Sequence, residues 1–288
     1  MAALDLSIDT ASVSPVRKRR FGNLFLIAAA WIVIVFVAAA LANILPLPEP
    51  DHMDIGGRRL PPTAAHLLGT DNLARDMLSR LIFGARASLI VGLLAPVIGL
   101  GIGGALGMLA GYFRGRLETL IVGSVDVLLA FPPLVLALAV VAYLGQSITN
   151  LTIVIGFLSI PAFTRVARAA TLSLAQREFV TAARALGATH LRILVRELLP
   201  NVFLPLLAFF LLAVAVTIVV EGALSFLGLG VPPPTPSWGS MIGEGRESLE
   251  FTPWLAFIPA VTMFLTVLAF NIVGDTLRAI TDPRQGAL

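Results

Sequence analysis

Few side chains in this 288-residue chain could carry out catalysis or bind a metal. The chain contains no cysteine, which excludes disulfides, thiolate nucleophiles and cysteine metal sites. Its three histidines, His52, His66 and His190, are scattered and form no recognisable metal-binding pattern. The sequence has no G-x-x-x-x-G-K-[ST] motif, the phosphate-binding loop that holds ATP. We therefore expect this chain to supply no catalytic residue and to bind no metal or cofactor.

The amino-acid composition is typical of a membrane protein. Hydrophobic residues make up 57% of the chain and charged residues only 13%, whereas an average soluble domain has roughly 25% charged residues. The net charge of +3 is modest, so the composition does not indicate a surface for nucleic acid. Membrane lipid is the environment that these numbers favour.

Long apolar runs locate the membrane-spanning helices, each of which needs roughly 20 residues to cross a bilayer core of about 30 Å. The runs are residues 21–48, 87–113, 119–164, 198–220 and 251–274. The third run is interrupted only by Asp126 and is long enough for two helices, with the polar stretch 143–150 as the turn between them. The sequence therefore predicts an all-α membrane protein with six transmembrane helices.

The distribution of lysine and arginine predicts the orientation. With the N-terminus inside, fourteen of these residues lie on one side of the membrane and six on the other, and the richer side is normally cytoplasmic. We therefore expect both termini to be cytoplasmic, with residues 1–20 as a cytoplasmic N-terminal segment. The basic cluster 17–20, with Ala40 and Ala42 further on, also fits a cleavable signal peptide. A retained anchor is the simpler interpretation, since five further spans follow.

The second apolar run contains two glycine patterns. Gly99, Gly101 and Gly104 have the spacing of a dinucleotide-binding loop, but a charge-free run leaves no room for the βαβ unit that such a loop requires. The other pattern repeats every four residues and comprises Gly99, Gly103, Gly107 and Gly111. It predicts a smooth helix face that another helix can approach closely, either within this chain or in a partner subunit.

Acidic residues near the apolar runs are few. Asp126 is the clearest at membrane depth, where ionisable residues often have a function. It lies about two turns beyond Arg116, so a water-exposed position near the cytoplasmic end is the alternative. Glu221 and Asp275 lie at the ends of runs, where we expect them at the membrane interface.

A cytoplasmic stretch, EFVTAARALGATHLRILVRELLP at residues 178–200, places charges among apolar residues at helical spacing. The apolar positions are Phe179, Ala182, Ala183 and Leu186, then Leu191, Leu194, Val195 and Leu198. The pattern predicts two short amphipathic helices joined at Gly187, where glycine would permit a bend or a close approach. A helix lying on lipid headgroups is the alternative.

This stretch resembles the cytoplasmic EAA loop of ABC-importer permeases. The matching positions are Ala182, Ala183, Gly187, Leu199 and Pro200. Thr181 stands where the family has its glutamate, and Glu178 precedes it by one turn. The resemblance implies that these residues form the loop on which an ATPase subunit docks.

Three other stretches are similar to permeases of the dipeptide, oligopeptide and nickel class. They are HLLGTDNLARDMLSRLIFGARASL from His66, EGALSFLGLGVPPPTPSWGSMI from Glu221 and GDTLRAITDPR from Gly274. Leu67 and Ala74 depart from the proline and glycine expected in the first stretch. The resemblance covers about residues 17–284.

The second of these stretches implies a structured external loop over a pore entrance. Its prolines prevent a continuous helix and its glycines permit unusual backbone angles, whereas Trp238 would also suit a plain anchor at the membrane interface. The residues that we assign to this gate loop are Phe226, Gly228, Gly230, Pro234 and Trp238.

The resemblance implies a type I ABC-importer permease fold in a bacterial inner membrane. Residues 21–288 would form a single permease domain, with external loops at about 46–86 and 222–252 and the coupling loop at about 165–200. The implied partners are a homologous permease in a heterodimer, two cytoplasmic ATPases that bind ATP and Mg, and an extracytoplasmic binding protein. The ligand would be a peptide or a similar solute, such as nickel or glutathione.

Two other functions are possible from the residues alone. An ion-coupled secondary carrier would need inverted repeats, midplane charges or broken helices, and the sequence shows little of these. An intramembrane enzyme would need a catalytic constellation, and no histidine or paired carboxylate lies within a predicted span.

Overall fold

The computed structural model describes residues 22–54 and 56–281 and is almost entirely helical. The basic cluster 17–20 and Arg284, which enter the prediction of orientation, lie outside these residues. The helices are α1 (Asn23–Leu41), α2 (Met77–Ile98), α3 (Gly104–Phe113), α4 (Gly115–Leu129), α5 (Pro133–Leu144), α6 (Ile148–Leu174), α7 (Glu178–Ala185), α8 (His190–Arg192), α9 (Leu199–Phe226), α10 (Trp238–Arg246) and α11 (Trp254–Thr281). Short π-helical segments, Gly99–Gly103 and Ile193–Leu198, join α2 to α3 and α8 to α9. The β pairing within the described residues is one isolated bridge between Thr70 and Asp76.

Five helices of the described residues are long and apolar enough to cross a membrane. They are Asn23–Leu41, Met77–Phe113, Ile148–Leu174, His190–Phe226 and Trp254–Ile280. Helices α4 and α5 together form a sixth candidate, bent by 79°. The prediction of an all-α protein with six spans is therefore confirmed when this bent pair is counted as one span.

The bend between α4 and α5 was not expected from the sequence. The predicted turn at 143–150 is present, since α5 ends at Leu144 and α6 begins at Ile148. The preceding run, however, contains two helices rather than one. Pro132 and Pro133 explain the break, because a proline lacks the backbone N–H of a continuing helix and disfavours helical geometry in the residue before it.

The prediction of two separate short helices around Gly187 is half right. Helix α7 is short and separate, but the segment after Gly187 continues without interruption from His190 to Phe226. Pro200 does not stop this helix and directly follows the π-helical segment Ile193–Leu198, where the regular α-helical hydrogen bonding is already interrupted. Leu194 and Leu198 pack in the same buried cluster as Phe163 of α6, which holds the start of the long helix against the body.

The core lies between α2, α3, α6 and α9. Toward one end of the bundle, Val91 of α2, Val154 of α6 and Leu224 of α9 share a buried cluster. Toward the other, Phe163 of α6 packs edge to face against Phe209 of α9, with ring centroids 4.9 Å apart. These clusters fix the helices that carry the loops at both ends.

Helix α1 packs on the side of this core. Trp31 donates its indole N–H to the Thr266 hydroxyl of α11 at 3.1 Å. Arg86 of α2 donates to the Ala39 carbonyl at 3.0 Å and to the Ala40 carbonyl at 3.3 Å. These carbonyls lack partners within the last turn of a helix, so Arg86 caps the C-terminal end of α1.

The glycines spaced every four residues face α6 of the same chain. A methyl carbon added at Gly103 would lie 2.5 Å from the Ile160 carbonyl oxygen and 2.9 Å from Cβ of Phe163. One added at Gly111 would lie 2.8 Å from the Arg168 carbonyl oxygen. Gly99 and Gly107 are equally close to α6. This face therefore lies inside the chain and does not remain free for a partner subunit.

Candidate functional site

The coupling segment, defined here as residues 178–200, begins with α7 and a tight turn. Gly187 has a φ of +77°, in the left-handed region that glycine adopts most easily. The Ala188 N–H reaches the Ala183 carbonyl at 3.0 Å, which closes the end of α7 as in a Schellman turn. No atom lies within 4 Å of the point where a side chain of Gly187 would begin. Gly187 therefore serves the bend, not a close approach within this chain.

The coupling segment has an inner face and an exposed face. Val180, Leu194 and Leu198 are buried against the body, and Ala183 packs beside them. On the outside Leu186 is 88% exposed and Leu191 is 71% exposed. The other residues taken from the motif, Glu178, Thr181, Ala182, Leu199 and Pro200, are also exposed. The coupling segment thus leaves most of the motif residues exposed, together with two large apolar side chains.

An aromatic cluster at the end of α3 fixes the coupling segment in place. The Tyr112 hydroxyl lies 2.8 Å from Nδ1 of His190. The guanidinium of Arg184 lies over the Tyr112 ring at 5.3 Å, and the Phe113 and His190 rings are 5.6 Å apart. Tyr112 is not among the residues predicted from the sequence, although it is one of only two tyrosines and lies near the end of a glycine-rich span.

The gate loop begins at the end of α9. Gly228 has a φ of +80°, and its carbonyl accepts a hydrogen bond from the Gln146 amide at 2.7 Å. Gly230 passes so close to Ser225 that any side chain there would collide with it. Pro234 is exposed, and Phe226 lies beneath the guanidinium of Arg246 at 5.3 Å from the ring centroid. The loop is therefore an ordered structure attached to the bundle.

Trp238 is not an anchor at the membrane interface. Its side chain is completely buried at the start of α10, and its indole N–H donates to the Leu81 carbonyl of α2 at 3.1 Å. Ser237 caps α10 through reciprocal hydrogen bonds with Ser240. The interfacial position considered from the sequence is wrong. Helix α10 folds back against α2 and α9, and this buries the indole of its own first residue.

Glu221 is also buried, not interfacial as expected. It lies in α9, where its carboxylate accepts hydrogen bonds from Ser88 of α2 at 2.8 Å and from Ser225 at 2.7 Å. Ser88 accepts in turn from the Trp238 backbone N–H at 3.3 Å. Two hydroxyl groups, one from α2 and one from α9, therefore hold the buried carboxylate, and Ser88 links it to the start of α10.

A cluster of four charged residues, three of them buried and one partly exposed, is named here the outer cluster and joins the α1–α2 loop to α10. It comprises Asp71, Arg75, Arg80 and Glu244. Arg75 contacts Asp71 and Glu244 at 2.6 Å each, and Arg80 contacts Glu244 at 3.0 Å. Asn72 adds a hydrogen bond to the Glu244 carbonyl at 2.9 Å. The charged residues of the stretch that starts at His66 thus hold the α1–α2 loop and the start of α2 against α10.

An open cleft of about 270 Å³ lies beside the gate loop. Its walls include Asp51 from the α1–α2 loop, Phe83 and Arg86 from α2, and Pro234 and Thr235 from the gate loop. Among the described residues, no group of three or more histidine, aspartate or glutamate side chains has a geometry that could hold a metal ion. The cleft thus lies between the α1–α2 loop, α2 and the gate loop.

Comparison with known proteins agrees with this arrangement. The family described as "Binding-protein-dependent transport system inner membrane component" matches residues 103–286. The chain is 38% identical over 289 residues to the glutathione transport system permease protein GsiD of Pectobacterium atrosepticum, which covers 99% of this chain and 96% of that protein. It is 42% identical over 269 residues to GsiD of an Escherichia coli O6 strain, covering 93% and 89% of the two chains.

The fold is also similar to that of a solved transporter. A chain from inward-facing structures of the MetNI methionine ABC transporter superposes with a TM-score of 0.61 at 17% identity. The superposition covers 72% of this chain and 98% of that chain. At this identity the likeness concerns the fold alone.

Proposed function

The chain belongs to the family of binding-protein-dependent transport system inner membrane components, and we propose that the solute it transports is a peptide, with glutathione as the first candidate. It is a multi-pass protein of the bacterial inner membrane and the translocation subunit of an ABC importer with the type I permease fold. As in other ABC importers, ATPase and binding-protein partners work with it. The observation that carries the proposal is the identity to glutathione permeases over nearly the whole chain.

We assign ATP hydrolysis to separate subunits that carry ATP and Mg. Two cytoplasmic ATPases, one on this chain and one on a homologous permease, would complete a heterodimeric complex. Residues 21–288 would be the permease domain of this chain, with residues 1–20 and the coupling segment on the cytoplasmic side. The lysine and arginine asymmetry of the loops supports this orientation.

The coupling segment is the surface that we assign to ATPase docking. Leu186 and Leu191 are strongly exposed on it although they lie next to charged residues. Exposed apolar side chains with a polar rim are typical of a protein-binding surface. A cleft on the ATPase could bury both leucines. A displacement of the coupling segment would then move α3 through the Tyr112–His190 contact.

The gate loop and the outer cluster are the parts that we assign to the external side. The binding protein would release its ligand near the cleft between Arg86 and Pro234. Closure of the two ATPases would then rock the bundle between outward-facing and inward-facing states. The ion pairs of Glu244 with Arg75 and Arg80 would make α10 and the α1–α2 loop move together during this motion.

Uptake measurements test the proposed cargo. The permease pair, the ATPases and the binding protein would be reconstituted together in proteoliposomes, and uptake of labelled glutathione would be followed with and without ATP. We expect ATP-dependent uptake that unlabelled short peptides inhibit and nickel does not. ATP-dependent uptake of nickel alone would contradict the peptide assignment, and uptake driven by an ion gradient without ATP would contradict the importer mechanism.

A further inference from the structure

The gate loop has few backbone donors between Val231 and Trp238. Four of these eight residues are prolines, which have no backbone N–H. Of the N–H groups that remain, those of Val231, Ser237 and Trp238 each donate to a serine hydroxyl, at 3.3, 2.9 and 3.3 Å. Residues 231–237 form neither helix nor strand. The backbone of this segment is therefore attached to the bundle through serine side chains.

The two ends of the segment reach the same carboxylate through one hydroxyl each. The Val231 N–H donates to Oγ of Ser225, which donates to Oε1 of Glu221 at 2.7 Å. The Trp238 N–H donates to Oγ of Ser88, which donates to Oε2 of Glu221 at 2.8 Å. Each carboxylate oxygen thus ends a chain of two hydrogen bonds that starts at one end of the loop.

Both chains need an acceptor at the position of Glu221. A serine hydroxyl has a single proton, so a hydroxyl that donates to Glu221 turns its lone pairs to the backbone N–H. A side-chain amide at this position would offer one acceptor and one donor, so it could end only one of the chains. Glu221, Ser88 and Ser225 are all buried, where hydrogen bonds in a chain strengthen one another. We name these three residues the serine clamp.

The two chains of the serine clamp differ in the helices that they join. Ser225 lies four residues after Glu221 in α9, so its chain stays within one helix. Ser88 belongs to α2, so its chain crosses between two helices. The helices are in close contact beside it, because a methyl carbon added at Gly92 would lie 2.6 Å from Cγ1 of Ile218. The serine clamp therefore lies next to a tight crossing of α2 and α9.

The ends of the loop are also buried in two different hydrophobic clusters. Val231 packs in the cluster that contains Leu151 of α6. Trp238 packs in the cluster that contains Val35 of α1 and Leu89 of α2. A loop that is fixed at both ends by packing and by hydrogen bonds is poorly suited to open as a separate flap.

We propose that Glu221 is a positioning residue for transport: it holds both ends of the gate loop, so that the loop moves with α2 and α9 as one rigid body. The inference rests on the proposed function, in which this loop lies over the entrance of the path. It adds the residue that fixes the loop and the way in which the loop moves.

Hydrogen–deuterium exchange tests the serine clamp, because segment 231–238 has only four backbone N–H groups to observe. Exchange at single amides would be resolved by mass spectrometry with electron-transfer fragmentation, on the complete importer in nanodiscs. The variants are Ser88→Ala, Ser225→Ala and Glu221→Ala. Ser79→Ala is the matched control, since it removes another buried hydroxyl of α2, one that donates to the Pro48 carbonyl instead.

A hydrogen-bonded amide exchanges slowly until its bond opens. We expect Ser225→Ala to speed exchange at least tenfold at Val231 alone, and Ser88→Ala to do so at Trp238 alone. Glu221→Ala should speed exchange at both amides, although each is bonded to a serine and not to the glutamate. Ser79→Ala should change neither. An effect of Glu221→Ala at one end only, or at neither, would overturn the serine clamp.

The serine variants each remove one hydroxyl and keep the test decisive if Glu221→Ala fails to fold. Faster exchange at both ends in either serine variant, or at neither end in both, would overturn the two separate chains. Glu221→Gln is a further check, since one acceptor oxygen remains and exchange should increase at one end only.

ATP distinguishes rigid movement from a separate flap. Exchange at Val231 and Trp238 should stay slow when ATP and vanadate trap the importer, and a tenfold increase at either amide would overturn the rigid-body movement. Solute imported per ATP should be at least threefold lower in Ser88→Ala than in Ser79→Ala, and equal ratios would overturn the role in transport. Failure of the wild type to import glutathione would count against the proposed cargo alone, because the exchange pattern is read without cargo.

Discussion

Ser88 of α2 donates a hydrogen bond of 2.8 Å to the carboxylate of Glu221 in α9, and both side chains are buried. The same hydroxyl accepts from the backbone N–H of Trp238, the first residue of α10. One serine thus connects two membrane-spanning helices to the helix that follows the gate loop. The position of α10 therefore depends on a serine that lies 150 positions away from it in sequence.

Replacing Glu221 by alanine should destabilise the protein and release the gate loop. The change leaves Ser88 and Ser225 without their acceptor, and a buried polar group left unsatisfied costs about 1–3 kcal/mol. Glu221→Gln keeps the shape and one acceptor oxygen, so it should cost less than half as much. Thermal unfolding in detergent measures both variants. A melting temperature of Glu221→Ala equal to that of the wild type would contradict the role of this contact.

Glu244→Gln should loosen the outer cluster. The change removes the negative charge that faces both Arg75 and Arg80, and hydrogen bonds to charged groups contribute about 1.5–3 kcal/mol. We expect a lower melting temperature and faster proteolysis of the α1–α2 loop. Glu250→Gln, at an exposed position after α10, is the matched control and should change neither. Equal effects of the two variants would show that the outer cluster contributes nothing specific.

Gly103→Ala should disrupt the packing of the second span on α6, because the added methyl carbon would lie 2.5 Å from a backbone oxygen. Overpacking of this kind typically costs 1–3 kcal/mol. Gly101→Ala is a close control, since no atom lies within 4 Å of its added carbon. It should be neutral or slightly stabilising, because alanine favours a helix more than glycine does. Equal stability of the two variants would argue against close packing at Gly103.

Leu186→Asp should weaken binding of the ATPases. The leucine is 88% exposed, so the change leaves the folded chain intact but places a charge in the proposed interface. We expect at least a tenfold loss of co-purified ATPase and a matching loss of uptake. Leu67→Asp, at an exposed leucine of the α1–α2 loop, should retain the ATPases. Full retention by Leu186→Asp would favour the alternative in which this segment rests on lipid headgroups.

The orientation can be checked with single cysteines at exposed loop positions. Met53→Cys in the α1–α2 loop should react with an impermeant thiol reagent in intact spheroplasts, because we place this loop outside. Gln176→Cys, exposed between α6 and α7, should react only after the membrane is opened. The reverse pattern would invert the proposed topology.

Sequence was sufficient for the features that depend on neighbouring residues. The charge-free runs predicted the spans because a bilayer selects for length and apolarity, and the four-residue glycine spacing predicted a close helix contact. Gly187 predicted a bend because glycine adopts a positive φ at little cost. The helix break before Pro133 could have been predicted in the same way, from the two adjacent prolines Pro132 and Pro133.

Contacts between distant residues could not be predicted in this way. Glu221 lies at the end of an apolar run, which is typical of an interfacial residue, and its partner Ser88 is 133 positions away. Tryptophan is a residue type common at the membrane interface, but Trp238 is buried because α10 folds back onto α2. Asp126 of α4 forms an ion pair with Arg165 of α6, which is 39 positions away in sequence. In each case a polar group has a partner that tertiary structure alone supplies.

The capping of α1 by Arg86 has a consequence for the thickness of the membrane around this protein. With 19 residues, α1 is about 28 Å long, slightly less than an average hydrocarbon core of about 30 Å. Its last carbonyls receive their hydrogen bonds from Arg86, so the end of the helix is fixed relative to α2. A thicker bilayer cannot be accommodated by sliding α1 alone, and the lipid must instead become thinner beside it. The match between the length of α1 and the thickness of the bilayer therefore depends on the position of the whole bundle.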